Sequence, residues 1–214
     1  TEDPPGTLDR AVKCGTMTAV PIAPSNGIEL AYETFGDPAQ PSILLIMGLG
    51  AQRVLWEDGI CALLVARGFH VIRFDNRDVG ESTWIETPGL DIGTAVIGLL
   101  TGETTDVPYL LSDMADDAVG LLDHLDIDAA HIVGASMGGM IAQTIAIEQP
   151  SRVLSLTSIM SNTGEPGVGE PSPELAVALL ADRPTEREAS IEAGIELMRV
   201  ISCAEHFDEA RART

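Results

Sequence analysis

Residues 132–143 read IVGASMGGMIAQ. An apolar, β-branched run passes through Gly134-Ala135-Ser136-Met137-Gly138 into a stretch with helical character. A serine between two glycines at such a junction fits the G-x-S-x-G pattern of a nucleophile-bearing turn. The turn must be very tight for the hydroxyl to project above the strand ends. Side chains two residues before or after the serine would then strike the neighbouring backbone, and glycine removes that collision. The helix behind the serine aims its first N–H groups at the place where an oxyanion would form. Gly139 and Ala142 keep that helix slim enough to lie close to a sheet. The competing reading is a Gly-rich phosphate loop. It calls for a nearby Lys or Arg, and the turn has neither.

Outward from this turn the chain alternates between extended and helical segments. "MTAVPIA" (17–23) and "IELAYETFG" (28–36) flank Ser25-Asn26-Gly27, which predicts an antiparallel hairpin. "PSILLIMGLG" (41–50) is continuously apolar until its glycines, as expected of a strand buried on both faces. Trp56 to Arg67 predicts a helix with Ile60, Leu63 and Leu64 inward, stopped by Gly68. "HVIRFDN" (70–76) is a strand. Ser112 is expected to cap a helix whose early acids, Asp113, Asp116 and Asp117, suit its dipole. The buried stripe of that helix is Met114, Ala118, Leu121 or Leu122, and Leu125. "AAHIVGAS" leads into the serine turn, a helix runs from Met137 to near Pro150, and "VLSLTSIM" (153–160) is a further strand. The alternation predicts an α/β fold, a mostly parallel sheet with right-handed crossovers and helices on both faces. "NTGEPGVGEPSP" (162–173) reads as a linker, and residues 174–214 as wholly helical.

The totals narrow the function classes. The chain has 214 residues, 45% hydrophobic, enough for a real core. Acidic residues number 33 against 12 basic, a net charge of −21, and Lys13 is the single lysine. Such a surface repels phosphate backbones and anionic bilayers, which argues against nucleic-acid and membrane partners. The carboxylates are dispersed, so they read as a solvated surface rather than a binding tail. Cys14, Cys61 and Cys203 are odd in number and widely spaced, giving neither a disulfide framework nor a metal pattern and pointing to the reducing cytoplasm. No segment is long and apolar enough to span a bilayer, and no signal peptide is visible. Met17 is read as the natural start, with residues 1–16 as a disordered extension or tag.

An oxyanion site needs two donors. Met137 N–H, directly after the serine, is one. In turns of this kind the other comes from the loop after the third strand. Here that loop is Met47-Gly48-Leu49-Gly50, and Leu49 N–H is the candidate.

With these motifs in order, the sequence resembles the α/β-hydrolase superfamily from Met17 to about Asn162. "LLIMGLG" is similar to the family's strand and oxyanion loop, with Met-Gly in place of the frequent His-Gly. "FDNRDVGES" (74–82) resembles its Asp-x-Arg-Gly-x-Gly-x-Ser stretch. Asp75, Arg77, Gly80 and Ser82 match, and Asp78 replaces a usual glycine. "HIVGASMGGMIAQTIA" resembles the turn itself in its serine-esterase form. The overall texture is nearest to antibiotic methylesterases of the aclacinomycin methylesterase type. The resemblance implies a core over 17–164 and a helical cap segment over 165–214. It also implies an acid after a seventh strand and a histidine after an eighth.

Neither partner of the serine is found. His206 is the only histidine after Ser136 and sits in a charged helical stretch, "CAEHFDEARAR". His70, His124 and His131 fall at strand starts or a helix end. After the sixth strand the chain offers Asn162, which cannot ionise, and Glu165. The expectation is therefore an incomplete fold lacking strands seven and eight, completed by a C-terminal segment that carries Asp and His. Six strands alone leave an open sheet edge, so the 214 residues are not expected to be a self-sufficient monomer. The implied activity is hydrolysis of small hydrophobic carboxylic esters through an acyl-enzyme, with Leu175, Leu179, Leu197 and Met198 forming an apolar lid. No metal or organic cofactor is implied. The alternative is a catalytically inactive, hydrolase-like binding module.

Overall fold

The computed structural model describes residues 19–86, 107–165, 168–169, 172–181 and 184–213. The proposed extension over 1–16 lies outside these residues, and so does the proposed start at Met17.

A six-stranded sheet runs in the order β1-β2-β4-β3-β5-β6. β1 (Ile22–Ser25) and β2 (Ile28–Phe35) form the expected hairpin. Its turn places Asn26 at φ 47° and Gly27 at φ 80°, the left-handed pair that a tight two-residue loop requires. The first strand begins at Ile22, later than "MTAVPIA" suggests. β2 lies antiparallel to β4 (His70–Phe74), while β3 (Ser42–Ile46), β4, β5 (Ala130–Ala135) and β6 (Val153–Ile159) are mutually parallel. β3 and β4 are buried at every position, which explains the continuous apolar run Ile43–Ile46; in β4 the buried His70 and Arg73 interrupt it.

Helices cover both faces. On one, α2 (Leu111–His124) and α3 (Met137–Glu148) pack Met114, Ala118, Leu121, Leu122, Ile141 and Ile145 against Leu44, Ile72 and Ile132. On the other, Cys61 of α1 (Asp58–Val65) joins Trp56, Ile43, Leu45 and Val71. The sequence reading of α1 needs correction. A 3-10 turn over Arg53–Leu55 precedes it, and Leu63 is 66% exposed, so the inward face is Cys61 with Leu64 and Val65. Gly68 ends the segment at φ 87°, as expected. The cap of α2 also differs. Ser112 lies inside the helix, and the Asp113 carboxylate accepts from Leu110 N at 2.7 Å instead.

Beyond β6 the chain forms α4 (Pro173–Leu180), α5 (Arg187–Ile201) and α6 (Glu209–Ala212). It is not continuously helical: residues 202–208 form a turn-rich connection that holds His206. α4 and α5 contact each other, and Ile195 is the buried centre of α5. Among the described residues β6 pairs only with β5, and all but its first residue are exposed. Leu154 and Leu156 are 54% and 41% exposed.

Candidate active site

The C-terminal ends of the parallel strands bring together the turn after β5, the loop after β3 and the segment after β4. Ser136 joins β5 to α3 at φ 56° and ψ −123°, a conformation that costs a non-glycine residue about 1–3 kcal/mol. Its N–H donates to Ile159 O at 2.8 Å, tying the turn to the end of β6. The flanking glycines are sterically required. A Cβ on Gly134 would lie 2.0 Å from Gly138 O, and one on Gly138 would lie 2.3 Å from Ile46 O. Gly139 is similarly close to Ser161 and Ser158. α3 starts at Met137, so its first N–H groups have no intrahelical acceptor and face the site end.

The loop after β3 reaches this serine. A Cβ on Gly48 would lie 3.0 Å from Ser136 Cβ and 3.4 Å from Ser136 Oγ. Ala51 N–H donates to Gly48 O at 3.2 Å, closing a turn with Gly50 at φ 63°. Because the peptide is planar and trans, the Leu49 N–H points opposite to that Gly48 carbonyl, out of the turn. The Leu49 side chain is 53% exposed, so backbone geometry rather than packing sets the loop.

The segment after β4 supplies buried charge. Asp75 is fully buried and accepts from Arg53 N–H at 2.7 Å, from Glu81 N–H at 3.1 Å and from the Arg53 guanidinium. A Cβ on Gly80 would collide with the Asp75 carboxylate at 2.2 Å, which accounts for glycine in the motif. Arg53 also reaches Glu81 at 2.7 Å and Glu33 at 3.2 Å. Burial disfavours its charge, but Glu81, Asp75 and Glu33 outweigh that and raise its pKa. Arg77 forms a two-point pair with Asp117 on α2, both contacts at 2.7 Å. Asp78 stands at φ 60°, where a glycine is the easier choice. Its carboxylate accepts from Tyr109 Oη–H at 2.6 Å, and burial followed by this acidic neighbour pushes the tyrosine pKa upward.

The structure thus brings Ser136, Met137 and the Leu49 loop to one place. Among the described residues no histidine hydrogen-bonds to Ser136 Oγ, and three of the four lie elsewhere. His70 and His131 sit at the opposite, N-terminal ends of β4 and β5, bonded to Ser42 at 3.2 Å and Ser155 at 2.8 Å. His124 packs edge-on against Tyr32 at the end of α2. Asn162 holds its own loop, with its amide donating to Gly169 O at 2.8 Å and its oxygen accepting from Gly164 N–H at 3.0 Å. Sequence reasoning missed Arg53 and Asn76, whose partners lie far away in the chain. Among the described residues there is no cluster of His, Cys, Asp and Glu suited to a metal. No helix among them is long and apolar enough to cross a membrane.

Comparison with known proteins agrees with this architecture. The family model described as the alpha/beta hydrolase fold matches residues 41–204. Rhodomycin D methylesterase DnrP of Streptomyces peucetius is 31% identical over 82% of this chain and 59% of its own length. 3-Oxoadipate enol-lactonase 2 of Acinetobacter baylyi is 31% identical over 69% of this chain and 44% of its own length. Among solved structures, the 2-hydroxy-6-oxo-6-phenylhexa-2,4-dienoate hydrolase of Rhodococcus sp. strain RHA1 superposes with a TM-score of 0.62 at 26% identity, covering 83% of this chain and 56% of that one. The chain therefore spans about half the length of the curated relatives it matches. Sheet order, serine turn and family match lead to one placement: the chain belongs to the α/β-hydrolase family.

Proposed function

We propose that this chain carries the nucleophile and the oxyanion donors of a serine carboxylic-ester hydrolase. Ser136 Oγ attacks the acyl carbon as its proton passes to a histidine. The Leu49 and Met137 N–H groups hold the oxyanion, each worth about 3 kcal/mol of barrier lowering. The alcohol leaves, and water then releases the acid from the acyl-enzyme. The histidine and its orienting Asp come from a complementary C-terminal segment outside these 214 residues. The observation that carries the reading is the positive φ of Ser136 against Gly48, a strained hydroxyl beside a glycine loop. The relation to a methylesterase favours a small hydrophobic ester, with Leu175, Leu179, Leu197 and Met198 as an apolar lid. No cofactor enters the scheme, and the setting is cytoplasmic.

A fluorophosphonate probe tests it. With the full natural chain present, Ser136 is labelled, Ser42 and Ser155 are not, and Ser136→Ala abolishes labelling and lowers kcat by about 10⁵-fold or more. A second reading, a catalytically inactive binding module, is favoured by the engagement of His70, His124 and His131 elsewhere, with Ser42, Tyr32 and Ser155. Absence of labelling decides for it.

A further inference from the structure

Something must hold Leu49 N–H in register with Ser136, because the Leu49 side chain is half in solvent. Hydrogen bonds within the loop do not do so alone. Ala51 N–H to Gly48 O shapes the turn and leaves it free to swing as a unit. What fixes the turn is two adjacent residues at the end of β4. Asn76, 2% exposed, donates from its amide nitrogen to Met47 O at 2.9 Å. A carbonyl only accepts, so the nitrogen must face it. Asp75 receives the Arg53 N–H at the other end, at 2.7 Å, and the Arg53 guanidinium reinforces it. Both residues follow directly on β4, which lies between β2 and β3, and Asp75 N–H donates to Ala31 O of β2 at 2.9 Å, so the anchors are tied to the sheet.

We propose that Asn76 is a positioning residue for the oxyanion loop: with Asp75 at the far end, it clamps residues 47–53 so that Leu49 N–H meets the developing negative charge. This rests on the reading of Ser136 and Leu49 given above. Asn76 touches neither the substrate nor the reacting atoms; it acts through Met47 and Gly48. The carbonyl it holds lies one peptide before the one that bears the Leu49 N–H, so a small rotation there swings the donor off its target.

The test uses Asn76→Asp, which keeps the shape and removes the donor, and Asn76→Ala, which removes the donor without adding charge. Both are measured in the full natural chain with an ester substrate and the fluorophosphonate probe. A clamp lowers kcat and the rate of Ser136 labelling together, by roughly 10- to 100-fold. KM stays within about twofold and labelling per folded molecule stays low, since the donor matters only once charge develops. A merely structural role gives the opposite pattern: less folded protein, with normal kcat and labelling rate per folded molecule, and that result overturns the proposal. Wild-type kcat in both variants overturns it while leaving the serine site standing, provided Ser136→Ala still abolishes labelling. If wild-type protein is not labelled at Ser136, the site reading falls and the clamp falls with it.

Discussion

Serines stand at both ends of the parallel strands, and they differ in kind. At the N-terminal ends, Ser42 and Ser155 each have a histidine within hydrogen-bonding distance, across the sheet on a neighbouring strand. At the C-terminal ends, Ser136 has no hydrogen bond from a described histidine, but it has a positive φ, a helix start behind it and a glycine loop in front. The first two are lateral pairs between neighbouring strands, where neither serine takes a positive φ. The comparison teaches that an imidazole beside a hydroxyl is an incomplete sign of reactivity. A nucleophile is recognised by the geometry prepared for its transition state.

Three substitutions and one control press on this contrast. The largest effect is expected at Leu49, the second residue of the Gly48–Ala51 turn, where proline suits the backbone and removes only the N–H. Leu49→Pro should lower kcat about 10²- to 10³-fold, equivalent to about 2.7–4 kcal/mol, with the urea midpoint little changed. Steady-state ester hydrolysis beside a melt checks both halves of that statement. Next, Gly134→Ala drives a Cβ into the Gly138 backbone and should cost about 3 kcal/mol of stability in equilibrium unfolding. The same change at Gly59, where a Cβ meets nothing within 4 Å, gives the control. The smallest effect belongs to the other end of the strands. Burial lowers the His70 pKa, against a weaker upward pull from Asp37. A depressed folded value means stability that is full above the ordinary histidine value of about 6.5 and falls as pH drops below it. Compared with His70→Asn, wild type should therefore lose at most about 1.4 kcal/mol of its advantage between pH 7.5 and 5.5, with ester hydrolysis unaffected.

Much of the fold was legible because its signals are local. The continuous burial of β3 and β4, the Asn26-Gly27 hairpin and the glycines around Ser136 each act within a few residues. α1 was misread because a helix of eight residues rich in apolar side chains admits more than one inward stripe. The cap of α2 was misplaced by two residues because the N-cap, Leu110, has no capping side chain of its own, and its N–H is met instead by the carboxylate of Asp113 at the third helical position. The substitution at Asp78 now has a reason: its φ of 60° explains the usual glycine, and its hydrogen bonds to Ile85 N–H and Tyr109 explain a tolerated aspartate. The buried pairs Arg53–Asp75 and Arg77–Asp117 were illegible as pairs, because matching charges that far apart requires the sheet first. Asn76 lay inside a recognised motif yet carried no signal of its own, since its acceptor is a backbone carbonyl in the loop after another strand.

Among the described residues the flank of β6 away from β5 is unpaired, and there it meets the chain's surplus of negative charge. Two copies approaching flank to flank must first overcome their mutual repulsion, which in dilute buffer reaches well beyond contact. Molar salt shrinks the screening distance to about 3 Å and removes that barrier while leaving Leu154 and Leu156 as apolar as before. Ionic strength thereby sets how long such molecules stay apart in solution.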